Sequence, residues 1–190
     1  MKKLATLFTD SYREFRHVRT ITTMAMFAAI SVVLGYFTLA FGDFIKIGFS
    51  SISNQMVYYL FGPVVGGFFG GALDILKYII KPTGPYFPGL TLVPMVAGVL
   101  YGCFFYKKPL RFWRVLAAEF TVSMVCNVCM TTICLSIMYN KGIMALIPLR
   151  LIKNLVMWPI NSLLFYAIAK AMEEAGVLRL IRGIGVARVR

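Results

Sequence analysis

Charged residues are scarce in this sequence. They make up 14% of its 190 residues, whereas a typical soluble domain has about 25%. Hydrophobic residues make up 59%, and the mean hydropathy is +0.79. A chain with so little charge cannot cover a water-facing surface. The shortage therefore excludes an ordinary soluble domain and predicts a protein whose solvent is the lipid bilayer.

Acidic residues and histidine are scarcer still, with 7 Asp and Glu in total and one histidine, His17. No histidine lies in an apolar run, and carboxylates are not paired at metal-ligand spacing. A membrane enzyme would need such groups for acid-base or metal chemistry. A GxxxxGK[ST] phosphate loop is also missing, so ATP hydrolysis is expected in a partner. We predict no catalytic residue, no cofactor and no metal site.

The four cysteines do not change this prediction. Cys126 and Cys129 have CxxC spacing, but they lie in an apolar run with no second pair and no histidine nearby. Metal and redox sites need accessible thiolates. We interpret the four as small packing residues: Cys103, Cys126, Cys129 and Cys134.

Apolar runs are what the sequence has in abundance. They predict an all-α integral membrane protein of six transmembrane helices. The predicted spans cover about 20–41, 50–61, 63–80, 90–106, 112–138 and 143–171.

Basic residues are concentrated on one side of these spans. Most of the 20 Lys and Arg lie in the N-terminal tail, the connection 107–114 and the C-terminal end, while Lys46, Lys81 and Lys141 lie on the other side. The positive-inside rule then predicts both termini in the cytoplasm. Because the cations flank apolar spans and no RNA or DNA motif is present, we expect contact with lipid rather than nucleic acid. The predicted organisation is one membrane-embedded domain, 1–190, with basic cytoplasmic segments at 1–19 and 172–190.

Polar residues inside the sixth span recur at helical spacing. Arg150, Lys153, Asn154 and Trp158 fall on one helix face, in the half of the span predicted to be outermost. Two cations one turn apart repel each other, and charges in a bilayer are costly unless paired or hydrated. The pattern predicts a hydrated cavity that holds an anion.

Other spans place polar residues at the same depth. Asp74 and Lys77 lie in the outer half of the third span, and Asn127 lies in that of the fifth. Their shared depth favours one cavity open to the outside. Plainer interpretations stay open: Asp74 and Lys77 can pair across one turn, and the cations of the sixth span can snorkel to headgroups.

The stretch KPTGPYFPGLTL, which begins at Lys81, is stiff because proline fixes φ. It presents Tyr86 and Phe87 at the mouth of the predicted cavity. Such a lid can stack on a flat ring and exclude water. A rigid connector whose aromatic residues lie at the membrane interface is the alternative.

Three stretches together carry a family resemblance: KIGFSSISNQMVYYLFGPVVGGFFGGALDIL, KPTGPYFPGLTL and VAGVLYG. With them the chain resembles, over about 25–158, the substrate-binding S components of energy-coupling-factor vitamin transporters, most closely the folate-specific S component. The resemblance implies six helices, a vitamin pocket that opens outward, and no hydrolytic activity. It also implies the plasma membrane of a bacterium, and docking on a transmembrane T protein that carries two cytoplasmic ATPases.

The resemblance also implies a docking face on the first helix. In the family a small-xxx-small pattern contacts the T protein, and here it matches Ala25 and Ala29, with Ala28 beside them. Small residues let helices approach closely. Ordinary packing within the chain is the alternative.

Folate, with its flat pterin, aromatic middle and two carboxylates, suits the polar residues of the spans. Donors and acceptors for the pterin would come from Asp74 or Asn127, and carboxylates need cations such as Arg, whose fork matches a carboxylate. Another vitamin, riboflavin or a queuosine precursor, and a stand-alone ion-coupled transporter remain alternatives. The predicted substrate-binding residues are Asp74, Lys77, Tyr86, Phe87, Asn127, Arg150, Lys153, Asn154 and Trp158.

Overall fold

The computed structural model describes residues 2–36, 38–41, 45–48, 50–80, 86–106, 108–139 and 143–175. The first part of the predicted lid (81–85), Lys107, Lys141 and the C-terminal segment 176–190 lie outside the described residues. The elements are α1 (Lys2–Glu14), α2 (Val18–Tyr36), β1 (Thr38–Phe41), β2 (Ile45–Gly48), α3 (Ser50–Ile80), α4 (Pro88–Phe105), α5 (Phe112–Val122), a π-helical segment (Ser123–Met130), α6 (Thr131–Tyr139) and α7 (Ile143–Glu174).

The prediction of an all-α membrane protein is confirmed. Within the described ranges, five helical stretches are long and apolar enough to cross a membrane. α5, the π-helical segment and α6 follow one another and together form one of them. The five stretches are Val18–Tyr36, Ser50–Ile80, Pro88–Phe105, Phe112–Met138 and Arg150–Glu174.

α3 is a helical hairpin rather than one straight helix, which reconciles these five stretches with the six predicted spans. Gly62 breaks it with φ 85° and ψ −167°, a conformation that favours glycine. The Lys77 ammonium donates a hydrogen bond to Ser50 Oγ, although a straight helix would separate them by about 40 Å. Pro63, which needs no N–H partner, follows the break. The halves 50–61 and 63–80 are the predicted second and third spans.

α1 closes the break in α3. Ser11 is fully buried, and its hydroxyl donates to Phe61 O at 2.7 Å. Ser11 Oγ also accepts hydrogen bonds from the backbone N–H groups of Val64 and Val65, at 3.1 and 3.3 Å. These are groups that a helix break leaves without an intrahelical partner. The segment that the sequence identified only as basic is therefore a helix that caps the α3 turn.

A glycine seam joins the second half of α3 to α4. A Cβ added to Gly66 would lie 2.9 Å from Gly98 O, so the two backbones are in direct contact there. Beside the seam, the ring of Tyr101 stacks on that of Phe105 (centroids 5.7 Å apart), and Phe105 stacks on Phe165 of α7 (5.2 Å). The core therefore lies between α3, α4 and α7.

The predicted first span, 20–41, was too long. α2 ends at Tyr36, and β1 pairs antiparallel with β2, with Thr38 opposite Gly48 and Phe41 opposite Ile45. Hydropathy alone cannot separate the end of an apolar helix from a short apolar strand. The other predicted spans end within a few residues of the observed helices.

Candidate functional site

The structure separates the predicted site residues into groups with different surroundings. In the first group, Asp74 on α3 accepts a hydrogen bond from Thr91 on α4, with 2.9 Å between Oδ2 and Oγ1. The Thr91 hydroxyl is also 3.2 Å from the Tyr86 hydroxyl. The Tyr86 ring lies 5.1 Å from that of Tyr78. This group joins the end of α3 to the start of α4.

Lys77 belongs to a second polar group, which joins α2 to both halves of α3. Its ammonium donates to Ser50 Oγ, which lies 2.8 Å from Ser31 Oγ. Ser31 donates in turn to Asn54 Oδ1 at 2.7 Å. Asp74 and Lys77, one turn apart in sequence, thus have different partners: Asp74 bonds to α4, and Lys77 bonds to the first half of α3.

Tyr86 and Phe87, the two predicted lid aromatics, precede α4. Tyr86 is exposed and Phe87 is half-buried. Phe87 is the N-cap residue of α4, with Pro88 directly after it. The ring of Phe87 and Cys134 Sγ both lie near the position of a Cβ added to Gly89. This contact brings the start of α4 against α6.

The cations of α7 are held more loosely. Arg150 Nη1 donates to the backbone carbonyl of Asn127 at 3.4 Å, a long hydrogen bond. Arg150 and Asn154 are half-buried, whereas Lys153 and the Asn127 side chain are exposed. In the described part of the chain no hydrogen bond involves the Lys153 ammonium. Arg150 and Lys153 therefore retain most of their capacity to bind an anion.

Trp158 lies away from these cations. Its indole N–H donates to Leu116 O at 2.9 Å, and its ring is 5.2 Å from that of Phe120. Leu116 lies near the start of α5, while Asn127 lies eleven residues further along, in the π-helical segment. The predicted stripe on α7 therefore extends over two levels of the bundle, with Trp158 beside the start of α5 and Arg150 beside the π-helical segment.

The π-helical segment changes which side chains share a face. In a regular α-helix the spacing of four would place Glu119, Ser123 and Asn127 on one face, but Glu119 and Ser123 are buried and Asn127 is exposed. A π-helix bonds i to i+5, so each turn holds more residues and the stripe is rotated. Side chains also satisfy its carbonyls: Thr131 donates to Cys126 O at 2.8 Å, and Arg150 donates to Asn127 O.

A buried polar network was missed by sequence reasoning. Glu119 on α5 accepts hydrogen bonds from Gln55 Nε2 (2.5 Å) and from the Tyr101 hydroxyl (2.8 Å). The three residues come from α5, α3 and α4, and all are buried. A lone carboxylate inside an apolar span was the available signal. Its partners could not be found because they are single polar residues in apolar runs.

The predicted partner residues lie on α2. Ala25 and Ala29 are exposed, while Ala28 is half-buried and packs against the core. The two exposed alanines are thus open to a neighbouring helix. As for metals, the residues that the structure describes contain no group of three or more His, Cys, Asp or Glu able to hold an ion.

Comparison with known proteins identifies the family. Residues 19–169 match the model of the family described as "ECF transporter, substrate-specific component". The folate transporter FolT of Clostridium novyi is 33% identical over 87% of this chain and 96% of its own length. FolT of Leuconostoc mesenteroides is 27% identical over 75% of this chain and 80% of its own.

A solved structure agrees with these relatives. The crystal structure of FolT bound with folic acid superposes with a TM-score of 0.72 and 31% identity, over 82% of this chain and 95% of that one. The match includes most of the helical bundle described above. This chain belongs to the family of substrate-specific components of ECF transporters, which are transport subunits and not enzymes.

Proposed function

We propose that this protein binds folate on the extracellular side of a bacterial plasma membrane and delivers it to an ATP-driven ECF complex. The observation that carries the proposal is the likeness to FolT bound with folic acid, at 31% identity and a TM-score of 0.72. Two FolT relatives from bacteria agree with it.

The polar residues of the bundle have the chemistry that folate requires. Arg150 and Lys153 offer cations to the two carboxylates of the glutamate moiety. Tyr86 and Phe87 offer aromatic surface to the flat parts of the ligand. In this proposal the remaining predicted contacts come from Asp74, Lys77, Asn127, Asn154 and Trp158.

Native mass spectrometry of the detergent-purified protein tests the substrate, followed by titration with folic acid. We expect a co-purified or added folate to remain bound, and riboflavin to be absent and to bind weakly or not at all. A co-purified flavin or deazaguanine base would instead favour the S component of another vitamin. It would overturn the folate assignment while leaving the family unchanged.

We further propose that Ala25 and Ala29 contact the transmembrane T protein of the complex, which carries two ATPase subunits. Their exposure on α2 supports this, because a small-residue face lets a partner helix approach closely. Ala25→Trp is expected to abolish folate uptake by cells while binding to the isolated protein stays within a few fold. If binding and uptake fall together, the alanine has a packing role.

The orientation proposed for this single domain places both termini in the cytoplasm. The proposal is based on the positive-inside rule, because most Lys and Arg residues lie on the same side of the spans as the two termini. Cysteine labelling of intact cells with an impermeant reagent is the test. Tyr86→Cys should react from outside and Lys108→Cys should not, and the reverse result would overturn the topology.

A further inference from the structure

We propose that α1 and the residues just after it bind the headgroups of anionic phospholipids at the boundary between membrane and water. The surface consists of three cations and two aromatic residues and is called here the arginine–aromatic surface: Phe8, Tyr12, Arg13, Arg16 and Arg19. It lies beside the turn of α3, at the opposite end of the spans from the predicted substrate-binding residues of α3. The inference therefore does not depend on which vitamin the protein binds.

The first reason is the position of α1. The helix has 13 residues, or about 20 Å of length, which is too short to cross a hydrocarbon core of about 30 Å. Ser11 bonds to the backbone on both sides of the break at Gly62, and the ring of Phe15 lies 5.0 Å from that of Phe68. Because the break joins two membrane-spanning halves of α3, it lies at one surface of the membrane. α1 is held at that same surface.

The second reason is the distribution of charge around this segment. Among residues 6–19, the Lys, Arg, Asp and Glu side chains that are exposed are all cationic, namely Arg13, Arg16 and Arg19. The two acidic side chains, Asp10 and Glu14, are half-buried. Each cation near an anionic membrane surface strengthens binding roughly fivefold, and the guanidinium fork matches phosphate oxygens. The outer side of α1 is therefore complementary in charge to an anionic headgroup.

The third reason is that aromatic residues lie beside these cations. Phe8 and Tyr12, one helical turn apart, are 39% and 57% exposed. The Arg16 guanidinium lies 6.0 Å from the centre of the Tyr12 ring, a distance at which the ring attracts the cation. Aromatic side chains are enriched at the level of the lipid headgroups, and short helices that combine them with Lys or Arg bind in the plane of the interface. The combination distinguishes this surface from a solvated basic tail.

The start of α5 repeats this combination on the same side of the bundle. Tyr106, just after α4, lies against the turn of α3, because a Cβ added to Gly62 would be 2.8 Å from Cγ of its ring. The connection from α4 to α5 is therefore beside α1's partner. Arg111 in this connection is exposed, and Trp113 in the first turn of α5 is 81% exposed. Exposed aromatic residues and cations thus occur together at two places on one membrane surface.

Native mass spectrometry of the detergent-purified protein tests the proposal with two lipids that have the same acyl chains, phosphatidylglycerol and phosphatidylcholine. The wild type should bind the anionic lipid more tightly. In the double variant Arg13→Gln/Arg16→Gln, phosphatidylglycerol should bind roughly 5- to 30-fold more weakly, and phosphatidylcholine should change less than about twofold. The double variant Arg13→Lys/Arg16→Lys keeps both charges and should retain most of the preference, with some loss because the guanidinium fork is missing.

Lys170→Gln is the matched control for the single variant Arg13→Gln. The Lys170 ammonium lies 3.8 Å from the Glu174 carboxylate on α7, so its charge is already compensated. Lys170→Gln should lower the preference for phosphatidylglycerol less than about twofold, whereas Arg13→Gln should lower it about fivefold. The melting temperature without added lipid is recorded for each variant and should stay within about 2 °C of the wild type, because the substituted side chains are exposed.

A selective loss of phosphatidylglycerol in the Gln variants supports the inference. It is overturned if the wild type binds both lipids equally, if the double Gln variant keeps the preference, or if that variant loses both lipids alike. A kept preference combined with lost vitamin uptake by cells would assign the surface to a partner protein instead of lipid. A wild type that prefers phosphatidylglycerol but binds no folic acid would overturn the proposed function and leave this inference in place.

Discussion

Two cation-bearing helices of this protein, α3 and α7, are built differently. In an apolar 18-residue part of α3, 83% of the residues are buried. In the corresponding part of Arg150–Glu174 on α7, 22% are buried. On α3, Lys77 contacts a hydroxyl of the opposite half of the hairpin. On α7, the hydrogen bond that Arg150 makes within the described residues is a long one to a backbone carbonyl, and Lys153 is exposed.

The difference assigns different tasks to residues of the same chemical type. A cation that bonds across a tightly packed hairpin stabilises the fold, and fewer of its N–H donors remain available to a ligand. A cation with one weak partner keeps its donors for an incoming anion. From sequence spacing alone, both pairs, Asp74 with Lys77 and Arg150 with Lys153, were predicted to bind the substrate.

The close contact between α3 and α4 should be the part of the bundle most sensitive to substitution. Gly98→Val places a branched side chain against the backbone of Gly66, so the α3–α4 seam must open. We expect the free energy of unfolding to fall by about 3 kcal/mol or more. Thermal melting in detergent measures it. Gly35→Ala, where a Cβ meets nothing within 4 Å, is the matched control and should not destabilise the protein.

The next effect concerns the open side, α7. Arg150→Ala should weaken folic acid by about 2–3 kcal/mol, or roughly 30- to 150-fold, through loss of a charge-assisted contact. Arg150→Lys should restore part of it, because the bidentate fork is missing. Pteroic acid, which lacks the glutamate, should be nearly indifferent to either change. Titration of both ligands decides, and an equal loss for both would contradict the carboxylate assignment.

Polar groups that bond between helices and polar groups that are exposed should differ modestly in what they contribute to stability. Thr91→Val keeps the shape but removes the donor to Asp74, and should lower the free energy of unfolding by about 1 kcal/mol. Lys153→Met, at an exposed position of α7, should change it by less than about 0.5 kcal/mol. Equal losses in the melting experiments would show that the two regions do not differ as described.

The architecture followed from the sequence more completely than the contacts did. Apolar runs identified all six spans, and the predicted boundary between the second and the third falls at Gly62 and Pro63, where α3 breaks. Hydropathy could not show that residues 38–41 form a strand. It also could not show that α1, with its mixed polar and apolar surface, is part of the fold.

The site was harder to predict because helical spacing assumes a regular helix. The π-helical segment rotates Asn127 away from Glu119, and the depth of Trp158 depends on how α7 packs against α5. The network of Glu119 depends on three elements that are distant in sequence, so no local pattern encodes it. The polar residues of the spans can be identified in the sequence, but their hydrogen-bond partners depend on the packing of the bundle.

The hydroxyl of Ser11 has a consequence for the order in which this protein is made. It bonds to Phe61, a residue synthesised fifty positions later, and to the two N–H groups just beyond the turn. A backbone group left unpaired in lipid costs several kcal/mol. The α3 hairpin is therefore complete only when α1, which is synthesised first, is still free to pack against its turn. We therefore expect a chain that lacks α1 to be defective in membrane insertion and folding, before any step that involves the vitamin.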